Sequence, residues 1–100
     1  MNTKQEILDF LTSHQQEIAS EYHVNKIALF GSFSRGEQTQ KSDVDLLIEI
    51  EEGTKNIHDL KISLQTYLST VFEHSVDLAR EKYLKPYAKE LILKDAIYVY

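Results

Sequence analysis

Two aspartates, Asp43 and Asp45, have the spacing that points most directly to chemistry. They lie within residues 42–50 (SDVDLLIEI), where polar and apolar residues alternate as in a half-buried β-strand. Side chains two positions apart on a strand leave the same face, about 6–7 Å apart along the backbone. Carboxylates arranged in this way repel each other unless a cation lies between them, and oxygen ligands favour Mg²⁺ or Mn²⁺ over zinc. Solvent-facing acids often give the same pattern, so the pair alone leaves metal binding open.

A second candidate element follows residues 26–30 (KIALF), an apolar run that predicts a buried strand. Gly31 and Ser32 come directly after it, and Arg35 follows three residues later. A glycine lets backbone N–H groups approach phosphate oxygens closely. A serine hydroxyl and an arginine can complete the binding of a triphosphate. An ordinary turn with a surface arginine gives the same letters, so this element is also ambiguous when taken alone.

The two elements together resemble the signature of the nucleotidyltransferase superfamily typified by DNA polymerase beta. The resemblance is closest to its minimal branch, the MNT proteins that are paired with HEPN toxins. That branch pattern reads Gly-Ser-x-Ala-Arg-Gly, a short gap, and then Ser-Asp-x-Asp-Leu. Here the matching letters are residues 31–36 (GSFSRG) and 42–46 (SDVDL). Ser34 stands where the family usually has alanine, and we expect phosphate access to survive because both side chains are small.

The resemblance implies a role for each of these residues. Asp43 and Asp45 would bind two Mg²⁺ ions, and the family needs a third carboxylate from a neighbouring strand. The candidate is Asp77, because Val76 and Leu78 occupy the opposite face of a short predicted strand. All three aspartates would be catalytic, and Asp77 could accept the proton of the nucleophile. The residues implied in binding ATP are Gly31, Ser32, Arg35 and Ser42.

Helical and strand periodicities predict the elements that position these residues. Thr3 and Glu6 form a capping-box pattern that predicts one helix through about residue 22. Further helices are predicted near residues 56–72 and from Pro86 to about residue 95, with a terminal strand over residues 96–100. The link between the first two strands is too short for a parallel crossover, so they should pair antiparallel. We expect an α/β (α+β) fold, with a small mixed β-sheet and helices packed on one face, as a single domain over residues 1–100.

Composition limits the partners and the compartment that we expect. The net charge is −5, which weighs against a long nucleic acid as partner. The chain has no cysteine, no visible signal peptide and no apolar run near the roughly 20 residues that span a bilayer, so we expect a cytoplasmic protein without membrane contact. We expect Asp95 on a solvated surface, and His58 and His74 as surface or packing residues.

The resemblance implies an AMP transfer from ATP to a tyrosine of a HEPN toxin, with this chain acting as antitoxin. Larger relatives carry domains that hold the acceptor, so we expect a protein partner to present the hydroxyl here. Two alternatives stay open: transfer to a small hydroxylated molecule, or a module that neutralises its partner by binding alone. Oligomers are compatible with the sequence. The base preference, the acceptor atom and the oligomeric state are not determined by it.

Overall fold

The computed structural model describes residues 1–100 as five α-helices and four β-strands. A 3₁₀ turn (Glu81–Tyr83) precedes the last helix. The helices are α1 (Lys4–Ser13), α2 (Gln15–Tyr22), α3 (Gly31–Arg35), α4 (Ile57–Phe72) and α5 (Pro86–Asp95). The strands are β1 (Val24–Phe30), β2 (Val44–Ile50), β3 (Val76–Arg80) and β4 (Ile97–Tyr98). No helix in the structure combines the length and the apolar character needed to cross a membrane.

The strands form one mixed sheet in the order β3-β2-β1-β4. β1 pairs antiparallel with β2 and with β4, whereas β2 pairs parallel with β3. The antiparallel pairing of the first two strands was expected from their short link. Helix α4 supplies the crossover that a parallel pair requires. The predicted fold class is therefore confirmed.

One face of the sheet forms the main hydrophobic core with α1, α2 and α4. The side chains that pack there alternate along the strands and recur every three or four residues along the helices, as the sequence pattern predicted. Ala28 and Leu47 are also fully buried but point to the opposite face, where the two residues are cross-strand partners. Helix α5 contacts β1 and α3, so both the sheet and the turn after β1 support it.

One local prediction was wrong. The helix expected through residue 22 is interrupted at His14, which caps both α1 and α2 with φ −105° and ψ 15°. The His14 ring stacks on Phe10, and its Nδ1 atom lies 2.9 Å from the Phe10 carbonyl oxygen. The side chain thus contacts a carbonyl group at the end of α1, where the helix stops. Residues 31–35 form α3, a single short helical turn that the sequence patterns did not predict.

Candidate functional site

Asp45 and Asp77 lie side by side on the parallel strands β2 and β3, where they are register partners. Because register partners point to the same face of a sheet, the two carboxylates share one face. Neighbouring strands are about 4.8 Å apart, so the two side chains are also close together. Asp43 is exposed and directly precedes β2, two residues from Asp45. We call Asp43, Asp45 and Asp77 the acid cluster. Asp77 is exposed while Val76 and Leu78 are buried, as the alternation predicted.

The electrostatics of the cluster are concentrated on Asp45. Burial, and then the negative charges of Asp77 and Asp43, raise the pKa of the Asp45 carboxyl to about 6, with Arg35 opposing the shift. Its ordinary value is 3.8. A carboxylate that is both desolvated and surrounded by like charges is stabilised by a bound cation.

No three histidine, aspartate or glutamate side chains lie close enough together to hold a metal ion by themselves. The donor set still suits a hard divalent ion, because it consists of carboxylate oxygens whose repulsion such an ion would relieve. Mg²⁺ keeps several ligands from water and from substrate phosphates, so a site of this kind does not need a closed protein cage. The residues present therefore fit Mg²⁺ that arrives with a nucleotide.

Gly31 connects β1 to α3 at a point where only glycine fits. Its φ is +75°, and a Cβ atom placed on it would lie 2.3 Å from Oδ2 of Asp45. L-residues rarely adopt this conformation, and the short distance leaves no room for a side chain. The backbone of the turn is thus held directly against the acid cluster. This contact joins the two sequence elements that carry the family resemblance.

Arg35 lies at the end of α3 and is held by two carboxylates. Its Nε atom donates to Glu37 at 2.8 Å, and its Nη1 atom donates to Asp95 at 2.8 Å. The Arg35 side chain is 44% exposed, so the guanidinium also faces solvent. Asp95 further accepts a hydrogen bond from the Ser34 hydroxyl through its backbone carbonyl. Asp95 lies at the surface, as expected, with its side chain 27% exposed, and it also joins the end of α5 to α3.

Ser42 precedes the acid cluster and is held by a buried histidine. Nδ1 of His74 lies 2.8 Å from the Ser42 carbonyl oxygen, and Nε2 lies 3.1 Å from Oδ1 of Asn2. The ring also makes an edge-to-face contact with Phe33. The Ser42 hydroxyl accepts a hydrogen bond from the backbone N–H of Thr39 at 2.8 Å, so Ser42 shapes the loop before β2.

The structure thus brings Gly31 and the acid cluster together, with Arg35 near enough to act on the charge of Asp45. Ser32 lies half-buried beside Gly31 in α3, whereas the Ser42 side chain is engaged in its own loop. Sequence reasoning missed two supporting residues, Asp95 and His74. His74 comes three residues before Asp77, but neither residue stands in a periodic pattern that would have singled it out.

Sequence relatives of this chain were found along nearly its whole length. The model of the nucleotidyltransferase domain matches residues 11–99. Protein adenylyltransferase MntA of Thermococcus cleftensis is 35% identical over 99 residues, which are 99% of this chain and 98% of that protein. A homologue from Methanocaldococcus jannaschii is 43% identical over 101 residues, which are 99% of this chain and 100% of the homologue.

Several solved structures share the fold of this chain. One described as a minimal nucleotidyltransferase gives a TM-score of 0.74 at 29% identity and covers 92% of each chain. A chain of a toxin–antitoxin crystal structure with AMP-PNP gives 0.70 at 20% identity, over 89% of this chain and 72% of that one. A chain from the complex of a tri-AMPylated Shewanella oneidensis HEPN toxin with an MNT antitoxin gives 0.63 at 16% identity, over 93% and 71%. At the identities of the last two, the likeness shows a shared fold.

Proposed function

We propose that this chain, which belongs to the nucleotidyltransferase domain family and within it to the minimal nucleotidyltransferases, transfers AMP from ATP to a hydroxyl group of a partner protein. The observation that carries the proposal is the contact between Gly31 and Asp45, which places a phosphate-binding type of turn against a set of carboxylates. Neither element is specific when taken alone. Their contact in space is the arrangement that nucleotidyl transfer needs.

We assign the binding of Mg²⁺ to Asp43, Asp45 and Asp77, and the binding of the triphosphate to the turn. When bound, two such ions supply charge that activates an attacking hydroxyl and neutralises a leaving pyrophosphate. The residues assigned to the triphosphate are Gly31, Ser32 and Arg35, with Ser42 shaping the loop beside them. Arg35 is suited to this role because the ion pair with Asp95 fixes one edge of its guanidinium while the side chain stays partly exposed.

The chemical step forms a bond between the acceptor oxygen and the α-phosphorus of ATP and breaks the bond to the bridging oxygen of pyrophosphate. The acceptor's proton passes to Asp77, which is exposed and therefore reachable by a hydroxyl of another molecule. The absence of a side chain at Gly31 lets the phosphates approach the backbone and the Asp45 carboxylate together. Positioning and charge supply most of the catalysis in such transfers.

A protein acceptor is favoured over a nucleic acid by charge and by the relatives. The net charge is −5, and three of the acids stand at the site itself, where they would repel a phosphate backbone that metal did not cover. MntA of T. cleftensis is named a protein adenylyltransferase, and one structural neighbour comes from a complex with an AMP-bearing HEPN toxin. We infer that the acceptor of this chain is a tyrosine of a HEPN-type partner and that modification neutralises that partner.

The acceptor class is tested by offering labelled ATP and Mg²⁺ with three acceptors in parallel. These are a purified HEPN-type protein, total tRNA, and a set of small hydroxylated compounds. The proposal expects label in the protein, on tyrosine, and none in the other two. Label in tRNA or in a small compound, with none in the protein, would overturn the choice of acceptor. Asp43→Asn protein serves as the inactive control.

A further inference from the structure

The outer surface of α5 carries large apolar side chains that are mostly exposed. Tyr87 and Leu91 lie one helical turn apart and are 69% and 60% exposed. Tyr83, in the turn that leads into the helix, is 70% exposed, although the cationic groups of Arg80 and Lys82 lie over its ring. We call these three residues the α5 patch. Clustered exposed apolar residues on a soluble protein mark interaction sites, and tyrosine is enriched among the residues that dominate binding energy.

The α5 patch lies in the basic part of an acidic chain. Residues 80–94 hold five basic and two acidic residues, which gives them a net charge of +3. Since the whole chain carries −5, the residues outside this range carry −8. Four of the basic residues are exposed and have no ion-pair partner within the chain. They are Lys82, Lys85, Lys89 and Lys94. An apolar centre with a basic rim is complementary to a protein surface that has an apolar groove and an acidic rim.

The C-terminal end of α5 contacts the candidate site. Asp95, the last residue of α5, accepts a hydrogen bond from Arg35 through its carboxylate and another from the Ser34 hydroxyl through its backbone carbonyl. Tyr87 lies eight residues before Asp95, a distance of about 12 Å along the helix axis. A protein that spans the patch would therefore reach Asp95 and Arg35 at one end. Tyr83 lies at the other end of the sheet, where the neighbouring Lys82 donates its backbone N–H to Glu49. The rest of the chain is acidic, so residues 80–94 are the part of the chain that would attract a partner with an acidic rim.

We propose that the α5 patch and its lysine rim are the docking surface for the protein that accepts AMP, and that the acceptor surface is an acid-rimmed apolar groove. The inference rests on the proposed function for the identity of the partner. It adds the place where that partner binds and the chemistry that selects it. Tyr87 and Leu91 supply the apolar contact, and Lys89 and Lys94 supply the charge.

The docking surface is tested by binding in the absence of ATP. The HEPN-type protein proposed as the acceptor is titrated into the wild-type chain and into Tyr87→Ser/Leu91→Ser, with Ile62→Ser as the control. Ile62 is 49% exposed on α4, which packs on β3 and α2, whereas α5 contacts β1 and α3. We expect the double variant to weaken binding at least tenfold and Ile62→Ser to leave it within twofold. Equal binding by all three proteins would overturn the proposal.

Charge variants keep the test independent of folding defects in the first pair. Lys89→Glu/Lys94→Glu should lose at least tenfold in affinity at low salt, whereas Lys55→Glu/Lys61→Glu, with the same change in net charge, should not. Equal losses in the two charge variants would contradict a local rim. Two results would overturn the proposal in favour of another occupant. One is patch-dependent binding of an RNA oligonucleotide. The other is a dimer of this chain that the patch variants dissociate while binding to the HEPN-type protein is unchanged.

The same proteins separate this inference from the proposed function. Patch-dependent binding without any AMP transfer would contradict the proposed catalytic function but support the docking surface. If both patch variants transfer AMP at the wild-type rate and bind the HEPN-type protein with unchanged affinity, the docking surface is refuted and the catalytic function is supported.

Discussion

Replacing Asp45 by asparagine should stabilise the metal-free protein at neutral pH, although it removes a residue of the proposed catalytic set. The folded state raises the pKa of this carboxyl from 3.8 to about 6, through burial first and then through Asp77 and Asp43. A shift of about 2 units corresponds to about 3 kcal/mol if fully expressed, at 1.36 kcal/mol per unit. Because Asp45 is only half-buried, solvent screening reduces this, and we expect about 1–2 kcal/mol.

The sign of the effect fixes its pH dependence. A raised carboxyl pKa means that the folded state binds a proton more tightly than the unfolded state. The cost of ionising Asp45 is therefore absent below about pH 3.8, grows between the two pKa values and is complete above about pH 6. The advantage of Asp45→Asn over the wild type should be near zero at pH 4 and reach its full size by pH 7.5.

Urea unfolding in EDTA, at pH 4 and pH 7.5, measures this difference. Asp43→Asn is the matched control, because Asp43 is exposed and its replacement should change stability by no more than about 0.5 kcal/mol. Millimolar Mg²⁺ with an ATP analogue should reduce the advantage of Asp45→Asn, since the wild type then gains binding energy that the variant lacks. An Asp45→Asn protein that is less stable than wild type at pH 7.5 would refute the reasoning and assign the carboxylate a structural role.

Three further outcomes follow from the site. Gly31→Ala should lose AMP transfer and destabilise the fold by clearly more than Gly53→Ala, because both have positive φ but only at Gly31 would the new Cβ meet another side chain; urea melts compare them. Replacing His74 by leucine should lower the free energy of unfolding by about 1–3 kcal/mol, because the Ser42 carbonyl loses its hydrogen-bond donor. It should also slow AMP transfer, although His74 itself does not contact the substrate. The replacement of the exposed His58 by leucine should change neither stability nor rate. Mg²⁺ should bind weakly alone and at least tenfold more tightly with AMP-PNP, since the carboxylates leave coordination positions to phosphate; equal affinities in calorimetry would contradict this.

The placement of the acid cluster was predictable because it depends on local periodicity. A period of two along residues 42–50 and 76–78 puts the aspartates opposite the apolar residues, and the structure has Val44, Val76 and Leu78 in the core. The antiparallel pairing of β1 with β2 was predictable for a similar reason, because a short link allows no crossover. The roles of the acids as metal ligands stay predictions.

The features that were not predictable depend on contacts between distant residues. Asp95 lies 60 positions from Arg35, and no local pattern announces that ion pair. His74 is 32 positions from the Ser42 carbonyl that it contacts. The break at His14 depends on how one ring stacks on Phe10, which helical periodicity does not encode. Packing in three dimensions decides all of these.

The intact mass of the HEPN-type partner after incubation with this chain, ATP and Mg²⁺ tests the central claim most directly. We predict an increase by one or more AMP units with the wild type, and no increase with Asp43→Asn or Asp77→Asn. The partner's toxicity should fall in step with its modification. An unmodified partner that Asp43→Asn protein neutralises as well as the wild type would contradict the claim and make this chain an antitoxin that acts by binding alone.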